Sequence, residues 1–405
     1  MMKKLIKSSR IYTEGGILDG AILVEGSKIA ALYKKDAIPA DFDGEVFDYG
    51  SERVIPGIID LHTHGFKGWS AQTTDKEQIR MMAKSLPSVG ITGFQPTSCA
   101  SDYHVENVAI TADVIDEGYE GAKILGIHME GPFYNVKRHG ATHPDDVKPC
   151  SLELMKQFWE AGRGYVTYMT IAAEVPGAKE VIDFCLNKGM VLGIGHSDAT
   201  YAEAIEAFDN GVKVAIHSFN AMRPIHQREV GLMGAVMLDK RVYNELIPDF
   251  YHVCPEMIQI LFRMKPYNKI LLVSDCSAMS ALKPGIYNID GKININEKSG
   301  FMHLEDGTIN SSSKYILYGI GNLVEKLGIP LEDVILMSSR TPAEVLGIQK
   351  FKGGIHPTKD ADIAVIDDNY DCIATFVEGS LEYDRETAPD LVNPEVDKLV
   401  VELFD

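Results

Sequence analysis

The sequence of 405 residues is poor in basic residues and has no long apolar run, and each deficit excludes a class of protein. Its 39 Lys and Arg are outnumbered by 58 Asp and Glu, and the net charge of −19 argues against a nucleic-acid partner. No stretch approaches the roughly 18 uninterrupted apolar residues of a membrane span, so we expect no membrane partner. The basic start at residues 1–7 lacks the apolar segment of a secretory signal, which favours a cytoplasmic location.

Cysteine is also sparse, and its distribution excludes two further classes. The six cysteines are Cys99, Cys150, Cys185, Cys254, Cys276 and Cys372. They are scattered without a Cys-x-x-Cys pair, which excludes a disulfide framework and a zinc ribbon. Cys276 follows a candidate catalytic aspartate, but we interpret it as a small buried apolar side chain.

The middle of the chain alternates apolar runs with amphipathic segments. Eight strand-like runs cover 54–61, 91–97, 122–130, 166–173, 190–196, 212–217, 244–249 and 269–275. Helices are predicted between most of them, over 75–88, 104–117, 151–161, 178–188, 201–210 and 255–264. Strands that are apolar on both faces and alternate with helices indicate a parallel sheet covered by helices. Eight such units over about 220 residues favour a (β/α)8 barrel rather than an open sheet.

Both chain ends have a different pattern, made of short alternating runs with turn signals between them. Neither set of runs is large enough to build its own core. The sequence therefore predicts an α/β protein in two parts: a (β/α)8 barrel over 54–349, and a small β-sandwich domain assembled from 1–53 and 350–390. The segment 314–347 is expected to be helical and to pack near the last barrel strand.

His62 and His64 stand one residue apart at the end of the first apolar run. Alternate residues of a strand share a face, so the two imidazoles can point the same way. Two converging neutral imidazoles are typical of a metal site. The pair alone is equally consistent with two hydrogen-bonded or surface histidines.

Polar residues follow several of the predicted strands, all at the same end of the strand. The candidates are His62, His64, Glu130, His196, His217, His252 and Asp275. A single strand-end carboxylate is often a helix cap, and Asp198 is interpreted as one. Such residues at six strand ends are not explained by capping, since the carboxyl ends of barrel strands share one mouth. Burying these groups together would be costly unless they bind something.

Four histidines and one glutamate suit one or two divalent transition ions, with Glu130 able to bridge them. Zinc is the first expectation, and iron, manganese, cobalt or nickel also fit. Such ions hold a water and lower its pKa toward about 7, which gives hydroxide at neutral pH. Asp275 could accept the proton of that water and return it to a leaving group. The residues therefore predict metal-assisted hydrolysis, most naturally of an amide or ester.

Several segments around these residues are similar to the motifs of one known family. They are 56–65, 130–133, 195–199, 217–222, 274–275, 340–347 and 359–363. On these segments the chain resembles the amidohydrolase superfamily, and within it the N-acetylglucosamine-6-phosphate deacetylases. The Glu-Gly-Pro-Phe and His-x-Phe-Asn-Ala-Met motifs are typical of the deacetylases, whereas His-x-His is common to the superfamily.

The resemblance implies removal of the acetyl group from an N-acetylated hexosamine 6-phosphate, with Asp275 as the general acid/base. The implied metal ligands are Glu130, His196 and His217 for the main ion, and His62 and His64 for a second ion bridged through Glu130. The implied substrate-binding residues are His143, Asn220, Ala221, Arg228 and His252. Family members are usually homodimers with a phosphate contact across the interface. A guanidinium such as that of Arg228 suits phosphate, although a surface ion pair with Glu229 or another carboxylate is the alternative.

The chain departs from the family in its substrate-facing segments. Thr142 stands where the family has His or Gln, and His143 comes one residue later. Phe250 is expected to narrow the pocket, and the segment 309–313 replaces a family motif near the acetyl group. Two alternatives therefore remain open. One is a deacetylase of N-acetylgalactosamine 6-phosphate or another small N-acyl compound, and the other is a non-catalytic scaffold.

Overall fold

The computed structural model describes residues 3–289 and 291–404. Eight parallel strands form an almost closed barrel, in which each strand pairs with its neighbours in chain order. Barrel strands one to eight are Ile58–Thr63, Ile91–Cys99, Ile127–Glu130, Val166–Ile171, Val191–Ile194, Val214–Ala215, Tyr243–Leu246 and Ile270–Leu272. The Asp275 amide donates to the His62 carbonyl oxygen over 2.9 Å, which joins the chain after strand eight to strand one. The predicted barrel is therefore confirmed.

Helices follow the strands as predicted. The six helices expected between strands are Lys76–Ser85, His104–Glu117, Leu152–Ala161, Ala178–Asn187, Tyr201–Asp209 and Pro255–Met264. A further helix, Gly231–Leu238, was missed, because it is apolar on nearly every side and has no helical periodicity. Its interior position explains this composition, since six of its eight residues are buried.

The apolar core has layers that match this architecture. Ile59, Tyr168 and Leu271 belong to one buried cluster formed by the strands together with residues near 343–346. Met169 and Leu192 belong to another, in which the strands pack against the helices Leu152–Ala161 and Ala178–Asn187. This packing fixes the strand ends relative to one another, and those ends carry the candidate site.

Both chain ends contribute to one eight-stranded sheet. Its strands are Lys3–Thr13, Gly16–Glu25, Lys28–Lys34, Glu45–Asp48, Arg53–Pro56, Ile363–Ile366, Cys372–Val377 and Ser380–Asp384. The predicted run 54–61 is in fact split at Gly57, because its first part joins this sheet and its second part is barrel strand one. A Cβ at Gly57 would lie 2.2 Å from the Thr92 side chain, so the crossing point requires glycine.

A four-stranded sheet near the barrel mouth was not predicted. It consists of Gly285–Ile289, Lys292–Asn296, Met302–Leu304 and Val400–Leu403. A two-stranded pair, Gly65–Phe66 and Trp69–Ser70, also lies after strand one. The four strands are only three to five residues long, and the buried positions of Lys292–Asn296 are Asn294 and Asn296, so apolar residues do not mark the buried face of that strand.

The segment predicted to be helical before the last sheet strands is confirmed. It contains the helices Ile316–Gly321, Asn322–Lys326, Leu331–Ile335, Leu336–Arg340 and Thr341–Val345, of which the second and fourth are π-helical. Ile316 and Leu317 share a buried cluster with Ile270 and Leu272 of strand eight. Among the described residues, no helix is both long and apolar enough to span a bilayer.

Candidate active site

Glu130 lies at the centre of a cluster at the carboxyl end of the barrel. Its Oε1 atom is 3.0 Å from Nε2 of His196 and 3.1 Å from Nε2 of His217. The two Nε2 atoms are themselves 3.1 Å apart. Strands three, five and six deliver these side chains to one point, because parallel barrel strands end at a common mouth. All three residues are buried, and together they could hold one metal ion.

His62, His64 and Asp275 form the other half of the cluster. Oδ1 of Asp275 lies 3.2 Å from Nε2 of His64 and 3.7 Å from Nε2 of His62. The same Nε2 atoms lie 3.4 Å from Oε2 and 3.6 Å from Oε1 of Glu130, respectively. The three residues could hold a second ion. Glu130 therefore stands between two groups of metal-binding side chains.

Glu245 on strand seven orients the ring of His62 through a hydrogen bond to Nδ1. Its Oε2 atom is 2.9 Å from Nδ1 of His62 and accepts the His217 amide over 3.0 Å, while the Tyr168 hydroxyl donates to Oε1 over 2.8 Å. A carboxylate that accepts from Nδ1 assigns a proton to that nitrogen, so Nε2 is the atom that faces a metal ion. Within the described part of the chain, this buried Nε2 atom has no hydrogen-bond partner.

Burial and charge oppose each other at these groups. Burial raises the pKa of Glu130, but the charge of His62 and the hydrogen bonds from His196 and His217 outweigh it and hold the pKa well below its usual range. Burial likewise raises the pKa of Asp275, and His62 and His64 bring it below its usual range. At His62 burial lowers the pKa, whereas Glu130 and Glu245 raise it well above its usual range. The buried carboxylates thus favour a positive charge at this point.

Three of the cluster residues have left-handed backbone conformations. The φ angles are 46° at His196, 26° at His217 and 50° at Asp275. Non-glycine residues in this region cost about 1–3 kcal/mol each and persist only where the surrounding structure imposes them. Each residue directly follows a barrel strand or lies close beyond it, so the turn redirects its side chain into the mouth.

The cluster opens into a cavity of about 590 Å³. His143, Asn220, Ala221 and His252, four of the five predicted substrate residues, line this cavity beside the metal-binding side chains. The unpredicted sheet also lines the cavity, for example through Lys292. The segment 308–311, which follows a strand of this sheet, lines it as well. The cavity is large enough for a small sugar derivative.

His252 is held firmly at the cavity wall. Its Nδ1 atom lies 2.7 Å from Oδ2 of Asp249, and the same oxygen accepts the Ser312 hydroxyl over 2.8 Å. Burial lowers the pKa of His252, but the Asp249 carboxylate more than offsets this, and the pKa is raised. Ser312 belongs to the segment that departs from the family motif. The altered segment therefore holds Asp249, which in turn holds His252.

Arg228 and Phe250 both lie outside the cavity lining. Arg228 does not line the cavity and is exposed on the loop that follows strand six. None of the ion pairs between described residues uses Arg228, so the alternative of a surface ion pair with Glu229 or another carboxylate is not observed. Phe250 does not line the cavity either, and the prediction that it narrows the pocket is wrong. Its ring instead lies 5.5 Å from the Lys326 ammonium group.

Sequence reasoning missed three residues of this site. Glu245 and Asp249 lie in and after strand seven, and Cys99 is the last residue of strand two. Burial beside Glu130 raises the pKa of the Cys99 thiol well above its usual range, so the thiol donates to Oε2 of Glu130 over 3.2 Å. The position of Cys99 at the end of a strand could have identified it from the sequence.

Cys276 is buried, and its thiol lies near the Lys314 carbonyl oxygen. This agrees with its interpretation as a small buried residue.

Comparison with known proteins agrees with this geometry. Residues 53–401 match the model of the amidohydrolase family. The N-acetylglucosamine-6-phosphate deacetylase of Haemophilus influenzae is 32% identical over 93% of this chain and 99% of its own length. The N-acetylgalactosamine-6-phosphate deacetylase of Escherichia coli O157:H7 is 26% identical over 94% of this chain and 99% of its own length.

A solved structure extends the likeness to the whole fold. A mutant N-acetyl-D-glucosamine-6-phosphate deacetylase of Mycobacterium smegmatis, in complex with N-acetyl-D-glucosamine-6-phosphate, superimposes with a TM-score of 0.86 at 25% identity. The match covers 94% of this chain and 100% of that one. Together with the family match and these relatives, the barrel and its buried His, Glu and Asp cluster identify a hydrolase of amide C–N bonds. The chain belongs to the amidohydrolase family.

Proposed function

We propose that this protein is a metal-dependent deacetylase that hydrolyses the acetamide of N-acetylglucosamine 6-phosphate. The observation that carries the proposal is the pair of metal-binding groups on either side of Glu130, at the floor of a cavity of about 590 Å³. The names of the relatives from Haemophilus influenzae and Mycobacterium smegmatis support this substrate.

The donor set fits a divalent transition ion. Around a tetrahedral ion with bonds of about 2.0–2.1 Å, ligand atoms are separated by about 3.3–3.4 Å. The observed separations among Glu130, His196 and His217 are 3.0–3.1 Å. We propose these three as ligands of the main ion, and His62 and His64 as ligands of a second ion that shares Glu130. Zinc is the first expectation, and a bound ion polarises the amide carbonyl and acidifies water.

Asp275 is proposed to move the proton. Its lowered pKa keeps it a carboxylate at neutral pH, which is the form that accepts a proton from the attacking water. The water oxygen bonds to the carbonyl carbon as Asp275 takes a proton from the water. Asp275 returns that proton to the amide nitrogen as the C–N bond breaks, and acetate and the free amino sugar leave.

The remaining cavity residues are proposed to position the sugar. His252, whose Nδ1 faces Asp249, presents Nε2 toward the cavity beside the acetamide. Backbone groups of Asn220 and Ala221 and the ring of His143 contact the phosphosugar. Arg228 is exposed and does not line its own cavity, so we propose a homodimer in which it reaches the phosphate of the partner's site.

A second substrate remains an alternative, because the wall of the cavity departs from the family motif. Thr142 and the segment 309–313 line or support the cavity, and both depart from the family motif. The relative from Escherichia coli is named for N-acetylgalactosamine 6-phosphate. We therefore retain this sugar, or another small N-acyl compound, as the alternative. A non-catalytic scaffold is disfavoured, because every proposed ligand and Asp275 stand within bonding range of the cluster.

The terminal sheet is proposed to be the small β-sandwich domain, built from 1–53 and 350–390 beside a barrel over 54–349. Neighbouring residues of its first strands enter two different apolar clusters. Ile6 and Ile22 pack in one, and Leu5 and Ala21 in the other, so both faces of the sheet are covered.

A cytoplasmic location remains a prediction from the sequence.

An acetate-release assay tests the proposed function. The full-length protein, loaded with zinc, is given N-acetylglucosamine 6-phosphate, N-acetylgalactosamine 6-phosphate and unphosphorylated N-acetylglucosamine at equal concentrations. We expect the highest kcat/KM for the first sugar. A higher value for the second sugar would select the alternative, and no acetate from any acylated sugar would refute the deacetylase activity.

A further inference from the structure

Cys99 lies against the second group of metal-binding side chains. Its Sγ atom is 3.1 Å from Nδ1 of His64 and 3.2 Å from Oε2 of Glu130. The side chain is half-buried and lines the cavity. Strand two therefore delivers a thiol to the point where strands one, three and eight deliver imidazoles and carboxylates.

We propose that the Cys99 thiolate is a ligand of the second divalent ion, beside His62, His64 and Glu130. The inference rests on the metal site of the proposed function and adds a sulfur donor to it. Thiolate and imidazole are the ligands that zinc and cobalt prefer, and a thiolate shifts the preference away from manganese and magnesium. The site at this half of the cluster would then differ in metal preference from the site of His196 and His217.

One observation supports the sulfur ligand, and a second supports the ion that it would bind. His64, Cys99 and Glu130 each offer one ligand atom, and these atoms lie within 4.8 Å of one another. The buried Nε2 atom of His62 has no hydrogen-bond partner among the described residues, although two carboxylates lie 3.6 and 3.7 Å away. A buried imidazole nitrogen without a partner is costly, and a cation at this position would satisfy it.

The separation of the donors is also compatible with a shared ion. With a bond of about 2.3 Å to sulfur and about 2.0 Å to oxygen, a tetrahedral zinc ion places these atoms about 3.5 Å apart. The observed distance from Sγ to Oε2 of Glu130 is 3.2 Å. Binding breaks the S–H bond, forms the bond between sulfur and the ion, and releases the proton to solvent, because the thiolate is the form that binds metal.

Cobalt spectroscopy tests the proposal on the full-length protein. The chelator-treated protein is titrated with Co²⁺ while the near-ultraviolet absorption is followed, since a thiolate bound to Co²⁺ gives a charge-transfer band that imidazole and carboxylate do not. We expect the band in the wild type and its loss in Cys99→Ser, with about one fewer ion bound per chain. Cys150→Ser, which changes a half-buried thiol outside the cluster, should keep the band and both ions.

The outcomes separate this proposal from the proposed function. If the wild type binds Co²⁺ and releases acetate without the band, Cys99 only positions His64 and the ligand proposal is overturned. If Cys99→Ser retains the band, the proposal is likewise overturned. If the wild type binds no Co²⁺ and releases no acetate, both the metal site and this ligand are refuted. The wild-type spectrum alone decides the point should Cys99→Ser fail to fold.

Discussion

Nδ1 of His62 lies 2.9 Å from Oε2 of Glu245, and both side chains are fully buried. The carboxylate fixes the proton on Nδ1 and turns Nε2 toward Glu130 and Asp275. Metal-binding histidines commonly have such a carboxylate partner, which orients the ring and raises its basicity. Glu245 also accepts the His217 amide, so it connects both halves of the proposed metal centre from beneath.

Glu245→Gln is therefore expected to weaken metal binding without removing a ligand. The amide keeps the volume of the side chain but loses the charge that supports the His62 proton. Loss of such a partner lowers metal affinity by about 10–100-fold. Competition with a coloured chelator measures the affinity. Tyr168→Phe, which removes only the hydroxyl that donates to Glu245, is the control and should have a smaller effect. Equal affinity in Glu245→Gln and the wild type would contradict the proposed support.

Asp275→Asn is expected to lower kcat by about 10²–10⁴-fold, the usual contribution of a positioned acid/base group. The variant keeps the shape of the side chain but cannot accept a proton at neutral pH. Elemental analysis should still find metal, since Glu130, His196 and His217 remain. Asp183→Asn changes an exposed carboxylate that pairs with Lys179 away from the cavity, and it should retain wild-type kcat. Normal turnover in Asp275→Asn would remove this residue from the mechanism.

Arg228→Ala is expected to raise KM for the phosphorylated sugar by about 10–100-fold, because a hydrogen bond to a charged group contributes about 1.5–3 kcal/mol. KM for unphosphorylated N-acetylglucosamine should not change. Arg263→Ala, another exposed arginine, serves as the control. Equal changes for both sugars would exclude a phosphate contact. Mixed dimers of Arg228→Ala with Asp275→Asn subunits would show whether the contact crosses the interface.

His104 gives a test of stability against pH. Burial lowers its pKa to about 4, and its Nδ1 atom has no hydrogen-bond partner among the described residues. Between pH 6.5 and 4 the unfolded chain binds a proton that the native His104 does not, so the free energy of unfolding falls as the pH falls. His104→Gln removes this term and can still donate to the Ser98 carbonyl oxygen.

Urea unfolding at pH 7 and pH 4.5 measures the effect. The wild type should lose about 2–3 kcal/mol more than His104→Gln over this interval, because the unfolded chain alone gains the proton over the roughly two pH units between 6.5 and 4.5. Other groups titrate in both proteins and cancel in the difference. An identical loss in the two proteins would show that His104 is not buried in its neutral form.

Much of the fold was predictable from the sequence, because the barrel strands are continuous apolar runs that end at glycines or polar residues. The site residues at the strand ends were predictable for the same reason. Glu245 was not, since it lies within a strand and nothing local distinguishes it from a solvent-facing carboxylate. The sheet around Lys292–Asn296 was not predictable either, because its strands are short and this strand buries Asn294 and Asn296 rather than its isoleucines.

X-ray data collected at the absorption edge of the bound metal test the central claim most directly. The active, metal-loaded protein should show an anomalous peak within about 2.0–2.2 Å of Nε2 of His196, Nε2 of His217 and a carboxylate oxygen of Glu130. A second peak is expected beside His62 and His64 at full occupancy. An active crystal form with no peak at Glu130, or with its metal bound elsewhere, would contradict the account.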